Sequence, residues 1–364
     1  MAAFDFVVAA RGILGNAVLQ HLFNGCTRVF VPDYYDVDRQ TDATGLAALA
    51  PGAATGQAWP WLVRTGLLLH GPIWWSNAAE ALGRVTTGAL LVQMVREPRQ
   101  HIVSQYRVSV RVTCTELVLA GADEAERRRR LDALADLDRF LDDHARFCRY
   151  EEVLAPIRPV FRRTLALDLA ETLPDRLDGF VARLFEAIGT DYDGDPAPLR
   201  RKLQTPVVHY LSHSGMVLDL AGHGVPVLMF PCADADEGPR RQFDHELARA
   251  DIQALLAGRS PTEPATTLEF EDRPLGLFTP LASYAGMPPA LRRAAGRLRL
   301  FERHLRDALF PQWLARAEEM EAMAQTLLDR ADLDRLRAGL MARIADDLPR
   351  FLAREPRFRE MWGM

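Results

Sequence analysis

The sequence predicts an α/β fold in which a parallel sheet is flanked by helices and followed by a mainly helical C-terminal region. In the first half of the chain, short apolar runs with β-branched residues alternate with segments of helical spacing. The run GALLVQMV at 88–95 is continuously apolar, which is typical of parallel strands covered on both faces. Residues 289–352 instead carry Leu, Phe, Trp and Met at spacings of three and four, which indicates helices.

The first predicted unit is a strand, a glycine-containing turn and a helix. FDFVVAA at 4–10 has the composition of a strand, and RGILGNAVLQHLF at 11–23 has apolar residues at a helical spacing. TRVFVPDYYDV predicts a second strand, and TGLLLHGPIWW at 65–75 predicts a third with His70 at its end. Strands that alternate with helices in this way favour a parallel sheet.

The rest of the chain divides into four predicted pieces. Residues 123–150 are helical, and residues 162–189 form a strand and a capped helix that ends near Gly189. Residues 213–231 predict a turn, a short helix and a buried strand, and 258–267 is a linker with Pro and Thr. We therefore expect an α/β domain over 1–260, with its boundary between 213 and 265, and a helical region over 261–364.

Charge and composition exclude some classes of function. The formal net charge is −5, which gives no general electrostatic attraction to nucleic acid or acidic membranes, so any anion site is local. Lys202 is the only lysine among 44 basic residues, so a site that usually employs lysine has to employ arginine here. Lys202 itself either reaches a phosphate or belongs to a solvated basic face. The run ERRRR at 126–130 likewise is either a solvated helix face or a functional basic patch.

Cysteine usage and hydropathy predict a cytoplasmic protein. The four cysteines are far apart and form no CxxC or metal-binding spacing, which fits reduced thiols. The N-terminus lacks a basic segment followed by a long apolar one, so we expect no signal peptide. No apolar run approaches the ~18 residues of a membrane-spanning helix.

The segment LVQMVREPRQHIVSQYR at 91–107 carries the chemistry. Arg96 follows an apolar strand, Pro98 suits the first turn of a helix, and Ser104 comes eight residues after Arg96. Ligands of parallel α/β sheets bind beyond the carboxyl ends of strands, where helix N-termini offer N–H groups to anions. A guanidinium and a hydroxyl that converge there predict a phosphate site. The alternative is a structural ion pair for Arg96 and a solvated or capping role for Ser104.

This segment resembles the 3′-phosphate-binding motif of the sulfotransferases that use 3′-phosphoadenosine 5′-phosphosulfate (PAPS). In that family a strand ends in Arg, Pro follows, and a Ser comes eight residues after the Arg. LLLHGPIWWS resembles the strand with the catalytic histidine of several carbohydrate sulfotransferases, and FRRTLALDLAETLPDRLDGFVARLFEAIG resembles a later strand and helix. The resemblance covers about residues 4–213. It implies a P-loop-like sheet and sulfuryl transfer from PAPS to an acceptor hydroxyl of a carbohydrate or glycolipid, without a metal.

The resemblance also implies roles for individual residues. Arg96 and Ser104 would bind the 3′-phosphate, and His70 would accept the proton of the acceptor hydroxyl. The loop around the 5′-phosphosulfate would consist of Arg11, Gly12, Ile13, Leu14, Gly15 and Asn16. This loop contains neither the lysine nor the hydroxyl residues usual in the family. Either Arg11 replaces the lysine in catalysis while Asn16 and backbone N–H groups hold the anion, or the site is degraded. The alternative for His70 is a satisfied histidine near a strand end.

Two other functions remain open from the sequence. LSHSGMVLDLAGHGVPVLMFP at 211–231 resembles the nucleotide-sugar segment of two-domain glycosyltransferases, with the acidic Asp234, Asp236 and Glu237 after it. A non-catalytic binding protein on a sulfotransferase-like fold would also explain the altered loop. In that case the C-terminal helices are a partner surface or a homo-oligomer interface, whereas otherwise they form a packed subdomain. Trp74 and Trp75 either stack on a sugar acceptor or pack in the core.

Overall fold

The structure is a computed structural model, and it divides the chain into two compact units. The described residues are 4–10, 14–32, 36–37, 40, 42–51, 61–70, 74–197, 199–200, 216–219, 226–231, 266–270, 273–278 and 298–364. The first unit comprises Met1–Arg107, Asp136–Pro206 and Asp332–Met364, and the second comprises Val108–Ala135 and Val207–Ala331. The range predicted for the domain boundary, 213–265, lies mostly outside the described residues.

A five-stranded sheet forms the centre of the first unit, in which all the strands run parallel in the order β2-β3-β1-β4-β5. Its strands are β1 (Phe4–Ala9), β2 (Val29–Phe30), β3 (Arg64–Leu69), β4 (Thr86–Val95) and β5 (Arg163–Asp168). The helices of this unit are α1 (Asn16–Asn24), α2 (Ala43–Ala48), α3 (Trp74–Val85), the first part of α4 (Pro98–Leu119), α6 (Leu137–His144), α7 (Tyr150–Leu154) and α8 (Leu177–Ile188). The rest of α4, from Val108, and α5 (Glu124–Ala135) belong to the second unit. The α/β class predicted from the sequence is therefore confirmed.

The central strands are held by burial on both sides. The six residues Leu90–Val95 of β4 are all buried, as a strand with helices on both faces requires. At Gly66 of β3, a Cβ atom would lie 2.2 Å from the ring of Phe6 on β1, so only glycine permits this close packing. Helix α8 ends at Gly189, which adopts the left-handed conformation at φ 84°, as the sequence predicted.

The C-terminal helices of the first unit pack against its α/β core. They are α10 (Leu333–Arg343), α11 (Leu348–Arg354) and α12 (Arg357–Met361), which confirms a helical C-terminal region. The buried Asp347 accepts hydrogen bonds from the backbone N–H groups of Glu151 at 3.1 Å and Glu152 at 2.7 Å, so it caps α7 from a distant part of the chain. Arg354 donates to Glu151 at 2.6 Å and to Gln93 of β4 at 3.0 Å.

The second unit contains an antiparallel sheet that the sequence did not predict. Its strands are β6 (Met216–Asp219), β7 (Pro226–Pro231), β8 (Thr266–Phe270) and β9 (Arg273–Phe278), in the order β6-β7-β9-β8. The helix expected within 213–231 is wrong at 216–219, which pairs with β7 as a strand. The Pro- and Thr-containing stretch assigned to a linker runs into β8, because TTLEF is too short for its alternation to stand out. Helix α9 (Leu298–Arg330) completes the described part of this unit.

The basic run on α5 lies in the second unit and is neutralised by carboxylates. Arg127 pairs with Glu319 at 2.7 Å, and Arg129 pairs with Glu126 at 2.7 Å. Arg128 lies 3.9 Å from Glu124, and Arg130 pairs with Glu116. This agrees with a solvated, ion-paired helix face rather than an anion site. None of the helices within the described ranges combines the length and the apolarity that crossing a bilayer requires.

Candidate functional site

The carboxyl edge of the parallel sheet is the place where ligands are expected to bind. Strand β1 lies between β3 and β4, and the connections that leave β1 and β4 run to opposite edges of the sheet, toward β2 and β5. Adjacent strands whose connections diverge leave a crevice at their carboxyl ends, which is the usual ligand site of open α/β sheets. The candidate site comprises residues that follow β1, β3, β4 and β5.

Strand register brings His70 and Arg96 to this edge. Ala9 of β1 pairs with Leu69 of β3 on one side and with Gln93 of β4 on the other. His70 comes one residue after Leu69, and Arg96 comes three residues after Gln93. Their Cα atoms are therefore two strand spacings apart across the sheet and two residues apart along the strands, which gives a distance of about 12 Å. His70 is half-buried. The structure thus places both predicted residues on the same sheet edge.

The predicted loop after β1 is described only in its second half. Arg11, Gly12 and Ile13 lie outside the described residues, as do Lys202, Asp234, Asp236, Glu237 and the side chains of Trp74 and Trp75. Leu14 is buried, Gly15 precedes α1, and the buried Asn16 is its first residue. No side chain caps the N-terminus of α1.

Gly15 joins the turn after β1 to the turn after β5. It has φ 83°, and a Cβ atom there would lie 2.7 Å from Cδ1 of Leu169, so both the backbone and the packing require glycine. Because β4 lies between β1 and β5, this contact brings the two turns together next to the end of β4. The turn after β1 is therefore held close to Arg96.

Arg96 is half-buried, and it forms no ion pair with any of the described residues. Burial is the main cause that lowers the pKa of its guanidinium, and the charge of Arg107 lowers this pKa further. Tyr150, Asp168 and Glu97 act in the opposite direction and raise this pKa electrostatically. In the part of the chain that the structure describes, no carboxylate lies within salt-bridge distance of the guanidinium. A partly desolvated cation without a partner is unfavourable unless an anion binds to it.

Both carboxylates near Arg96 are occupied by other donors. Glu97 accepts hydrogen bonds from the backbone N–H of Gln100 at 2.8 Å and from Nε of Arg99 at 2.7 Å. Asp168 accepts one from the backbone N–H of Ala170 at 2.7 Å and one from Nε1 of Trp362 at 2.5 Å. Neither carboxylate forms an ion pair with Arg96, although both act on its guanidinium through their charges.

The N-terminus of α4 does not offer free N–H groups to an anion, contrary to the expectation from the sequence. Glu97 precedes the helix, and its carboxylate accepts from the N–H groups of Arg99 and Gln100. The negative charge of Glu97 already satisfies these donors and the positive end of the helix dipole. Side chains, rather than the helix N-terminus, must therefore hold an anion at this position.

Ser104 and Arg107 lie on one face of α4, one helical turn apart. Ser104 is half-buried and Arg107 is exposed, whereas Ile102, Val103 and Tyr106 are buried on the other face. Arg107 is close enough to Arg96 to lower the pKa of its guanidinium through its charge. Within the described ranges, the Ser104 hydroxyl and the Arg107 guanidinium have no hydrogen-bond partner. The edge thus combines a hydroxyl with two guanidinium groups that form no ion pair in the described part of the chain.

Tyr150 and His101 also belong to this site, although the sequence did not indicate them. The Tyr150 hydroxyl donates to the backbone oxygen of Arg96 at 2.5 Å, accepts from its backbone N–H at 3.2 Å, and lies 3.1 Å from Nδ1 of His101. His101 is fully buried, and burial followed by the charge of Arg96 lowers its pKa to about 3. A histidine among the buried residues of α4 was the only available signal, whereas Tyr150 carried none.

Comparison with known proteins adds nothing to this geometry. The sequence matches no protein-family model and no curated protein. The function therefore has to be inferred from the chemistry of the sheet edge. A half-buried guanidinium that none of the described carboxylates pairs with, a second arginine and a hydroxyl together suit an anion with more than one negative charge.

Proposed function

We propose that this protein is a sulfotransferase that moves a sulfuryl group from PAPS to an acceptor hydroxyl. The half-buried guanidinium of Arg96, with which none of the described residues forms an ion pair, carries the proposal, because an anion bound beyond the end of β4 would compensate its charge. The 3′-phosphate of PAPS is a monoester with a charge near −2 at neutral pH. Arg96 would bind it with two parallel hydrogen bonds, and Ser104 and Arg107 would supply further donors.

The neighbouring turn after β1 supports a second phosphate contact in the same ligand. Strands β1 and β4 are adjacent, so a nucleotide bound at Arg96 would extend toward Gly15 and the loop predicted at 11–16. That turn would hold the 5′-phosphosulfate, as in P-loop-like sheets, with backbone N–H groups of the uncapped α1 as donors. Arg11 would take the position that a lysine occupies in related enzymes.

His70 would act as the general base. It follows β3, on the side of β1 opposite β4, and so lies next to the turn proposed for the phosphosulfate. In the reaction His70 accepts the proton of the acceptor hydroxyl, the oxygen attacks sulfur, and the bond from sulfur to the bridging oxygen breaks. The leaving group is adenosine 3′,5′-bisphosphate, whose developing charge Arg11 and the backbone N–H groups would stabilise. The proposed acceptor is a carbohydrate or glycolipid hydroxyl.

Equilibrium binding of nucleotides tests the proposal. We expect adenosine 3′,5′-bisphosphate to bind and to raise Tm, and UDP to do neither. The variant Arg96→Ala should weaken the bisphosphate on the order of 100-fold, because it loses two charge-assisted hydrogen bonds. Arg129→Ala is the matched control, since Arg129 is an exposed arginine already paired with Glu126.

The other outcomes identify the competing functions. Binding of UDP without the bisphosphate would favour a nucleotide-sugar glycosyltransferase. Binding of neither nucleotide would favour a non-catalytic protein. Equal affinity of the bisphosphate for the wild type and Arg96→Ala would contradict the site even if the ligand binds.

A further inference from the structure

We infer that Tyr150 is a positioning residue for the anion site, because its hydroxyl holds both main-chain polar groups of Arg96. The inference rests on the proposed function, since the anion that Arg96 binds is taken to be the 3′-phosphate of the nucleotide. Tyr150 lies 54 residues after Arg96 and reaches it from the first residue of α7. Its role is to act through Arg96, not to touch the nucleotide.

The backbone of Arg96 needs this partner because the sheet ends before it. The last register pair of β4 with β5 is Val95 with Asp168, so the N–H and C=O of Arg96 lie beyond that ladder. Buried backbone groups of this kind require another partner. The Tyr150 hydroxyl accepts from the N–H at 3.2 Å and donates to the C=O at 2.5 Å, so it replaces the next residue of a strand.

The position of the protons fixes the state of His101. A tyrosine hydroxyl has one hydrogen, which is directed to the backbone oxygen of Arg96, so it can only accept from His101. His101 therefore carries its proton on Nδ1. Its Nε2 atom is then an acceptor, and it has no hydrogen-bond partner among the described residues. A neutral, buried imidazole agrees with a pKa lowered to about 3.

Tyr150 is itself held from two directions. Its ring packs against Phe351 and Trp362 of the C-terminal helices, with centroids 5.3 Å and 6.2 Å away. Its backbone oxygen accepts a hydrogen bond from Nε2 of Gln93 on β4 at 3.1 Å. Because these contacts immobilise the Tyr150 side chain, its hydroxyl can hold the backbone of Arg96 in a fixed position.

The consequence is specific to one part of the ligand. Without the hydroxyl, the peptide groups on both sides of Arg96 can rotate, and the direction in which the guanidinium leaves the backbone is no longer fixed. Paired hydrogen bonds between arginine and phosphate depend strongly on direction. The contribution of the 3′-phosphate to affinity should fall, whereas contacts with the 5′ side of the nucleotide should not change.

The test compares adenosine 3′,5′-bisphosphate with adenosine 5′-monophosphate, which lacks only the 3′-phosphate. Isothermal titration of the full chain gives the ratio of their dissociation constants, which isolates the 3′-phosphate. We expect a wild-type ratio on the order of 100-fold, and a ratio about 10-fold smaller in Tyr150→Phe. In the Arg96→Ala background, Tyr150→Phe should change the ratio no further, because both residues act through one contact.

Tyr106→Phe is the matched control. Tyr106 is a fully buried tyrosine on α4 whose hydroxyl has no hydrogen-bond partner in the described part of the chain. Its loss of a hydroxyl should leave the ratio unchanged. If Tyr150→Phe does not fold, Phe351→Leu replaces it, since it loosens the ring of Tyr150 and should lower the ratio by a few-fold.

Three results would overturn the inference, and they are distinguishable. A wild-type ratio near one overturns the proposed 3′-phosphate site and the inference with it. A high wild-type ratio that Tyr150→Phe preserves overturns the inference alone. An equal loss of affinity for both nucleotides also overturns it, because this indicates a structural role without effect on the direction of Arg96.

Discussion

Arginines in two regions of the molecule differ in what surrounds them. On α5, four consecutive arginines each have a carboxylate within 4.0 Å. At the end of β4, Arg96 is half-buried and has no such partner among the described residues, although Glu97 and Asp168 are near. The basic run is the more conspicuous pattern in the sequence. The single arginine is nevertheless the better candidate for binding an anion.

The difference teaches that an anion site depends on compensation and burial more than on the number of charges. The pair of Arg128 and Glu124 is exposed, with 73% and 84% of the side chains accessible, so solvent screens it. The surroundings of Arg96 are partly desolvated, and its neighbouring carboxylates are held by other donors. An anion that binds there meets a charge that is both unpaired and weakly screened.

The largest effect that we expect at the buried sheet edge, and not on the solvated α5, is a fall in the free energy of unfolding at acidic pH. The folded-state pKa of His101 is lowered to about 3, below the ordinary value of 6.5, so the unfolded state binds the proton first as the pH falls. The contribution of His101 is fully present above about pH 6.5 and is lost progressively toward pH 3. At pH 5 the free energy of unfolding should be lower by about 2 kcal/mol.

Urea unfolding at pH 7 and pH 5 measures this effect. The control is His101→Asn, whose amide can still donate to Tyr150 but does not titrate. The wild type should lose about 2 kcal/mol more than the variant between the two pH values. Equal losses would show that His101 is not held in the neutral form, and the contrast between the buried edge and the solvated helix would weaken.

A smaller effect is expected from the hydroxyl beside Arg96. Ser104→Ala should weaken adenosine 3′,5′-bisphosphate by about 5-fold, which corresponds to one hydrogen bond of about 1 kcal/mol, and should leave adenosine 5′-monophosphate unaffected. Titration calorimetry of both nucleotides measures the difference. Ser109→Ala on the same helix is the control, and an equal effect of the two substitutions would remove Ser104 from the site.

The smallest effect is expected on α5. Arg129→Ala should change the free energy of unfolding by less than about 0.5 kcal/mol and should leave the affinity for the bisphosphate unchanged, because exposed ion pairs contribute little. Thermal unfolding with and without the nucleotide checks both values. A loss comparable to that of Arg96→Ala would break the comparison, since binding would then follow the total charge.

The sequence predicted the elements that depend on local patterns. The structure has the expected continuous apolar run of β4, the helix after Pro98 and the end of α8 at Gly189. These elements were predictable because a few consecutive residues carry the signals for burial and helix capping. Strands β8 and β9 were missed because they have only five and six residues, and the pattern of β9 is also interrupted by Pro274 and Gly276.

The site was predictable only in part, for a physical reason. Arg96, Ser104 and His70 lie at strand ends or on the following helix, so local spacing places them on one edge. Tyr150 reaches Arg96 across 54 residues, and Trp362 reaches Asp168 across 194, and no local pattern encodes such contacts. The cap formed by Glu97 could have been predicted from the sequence, because an acidic residue directly before Pro98 is typical of a helix N-terminus.

The bond from Trp362 to Asp168 has a consequence for biosynthesis. Strand β5 leaves the ribosome long before Trp362, whose indole N–H donates to Asp168 at the carboxyl end of this strand. The hydrogen bond to Asp168 cannot form until 194 further residues have been synthesised. Contacts of such long sequence separation slow folding and leave their partners exposed in the meantime. The nascent chain therefore carries an unfinished sheet edge, and we expect chaperones to bind it until the final helices emerge.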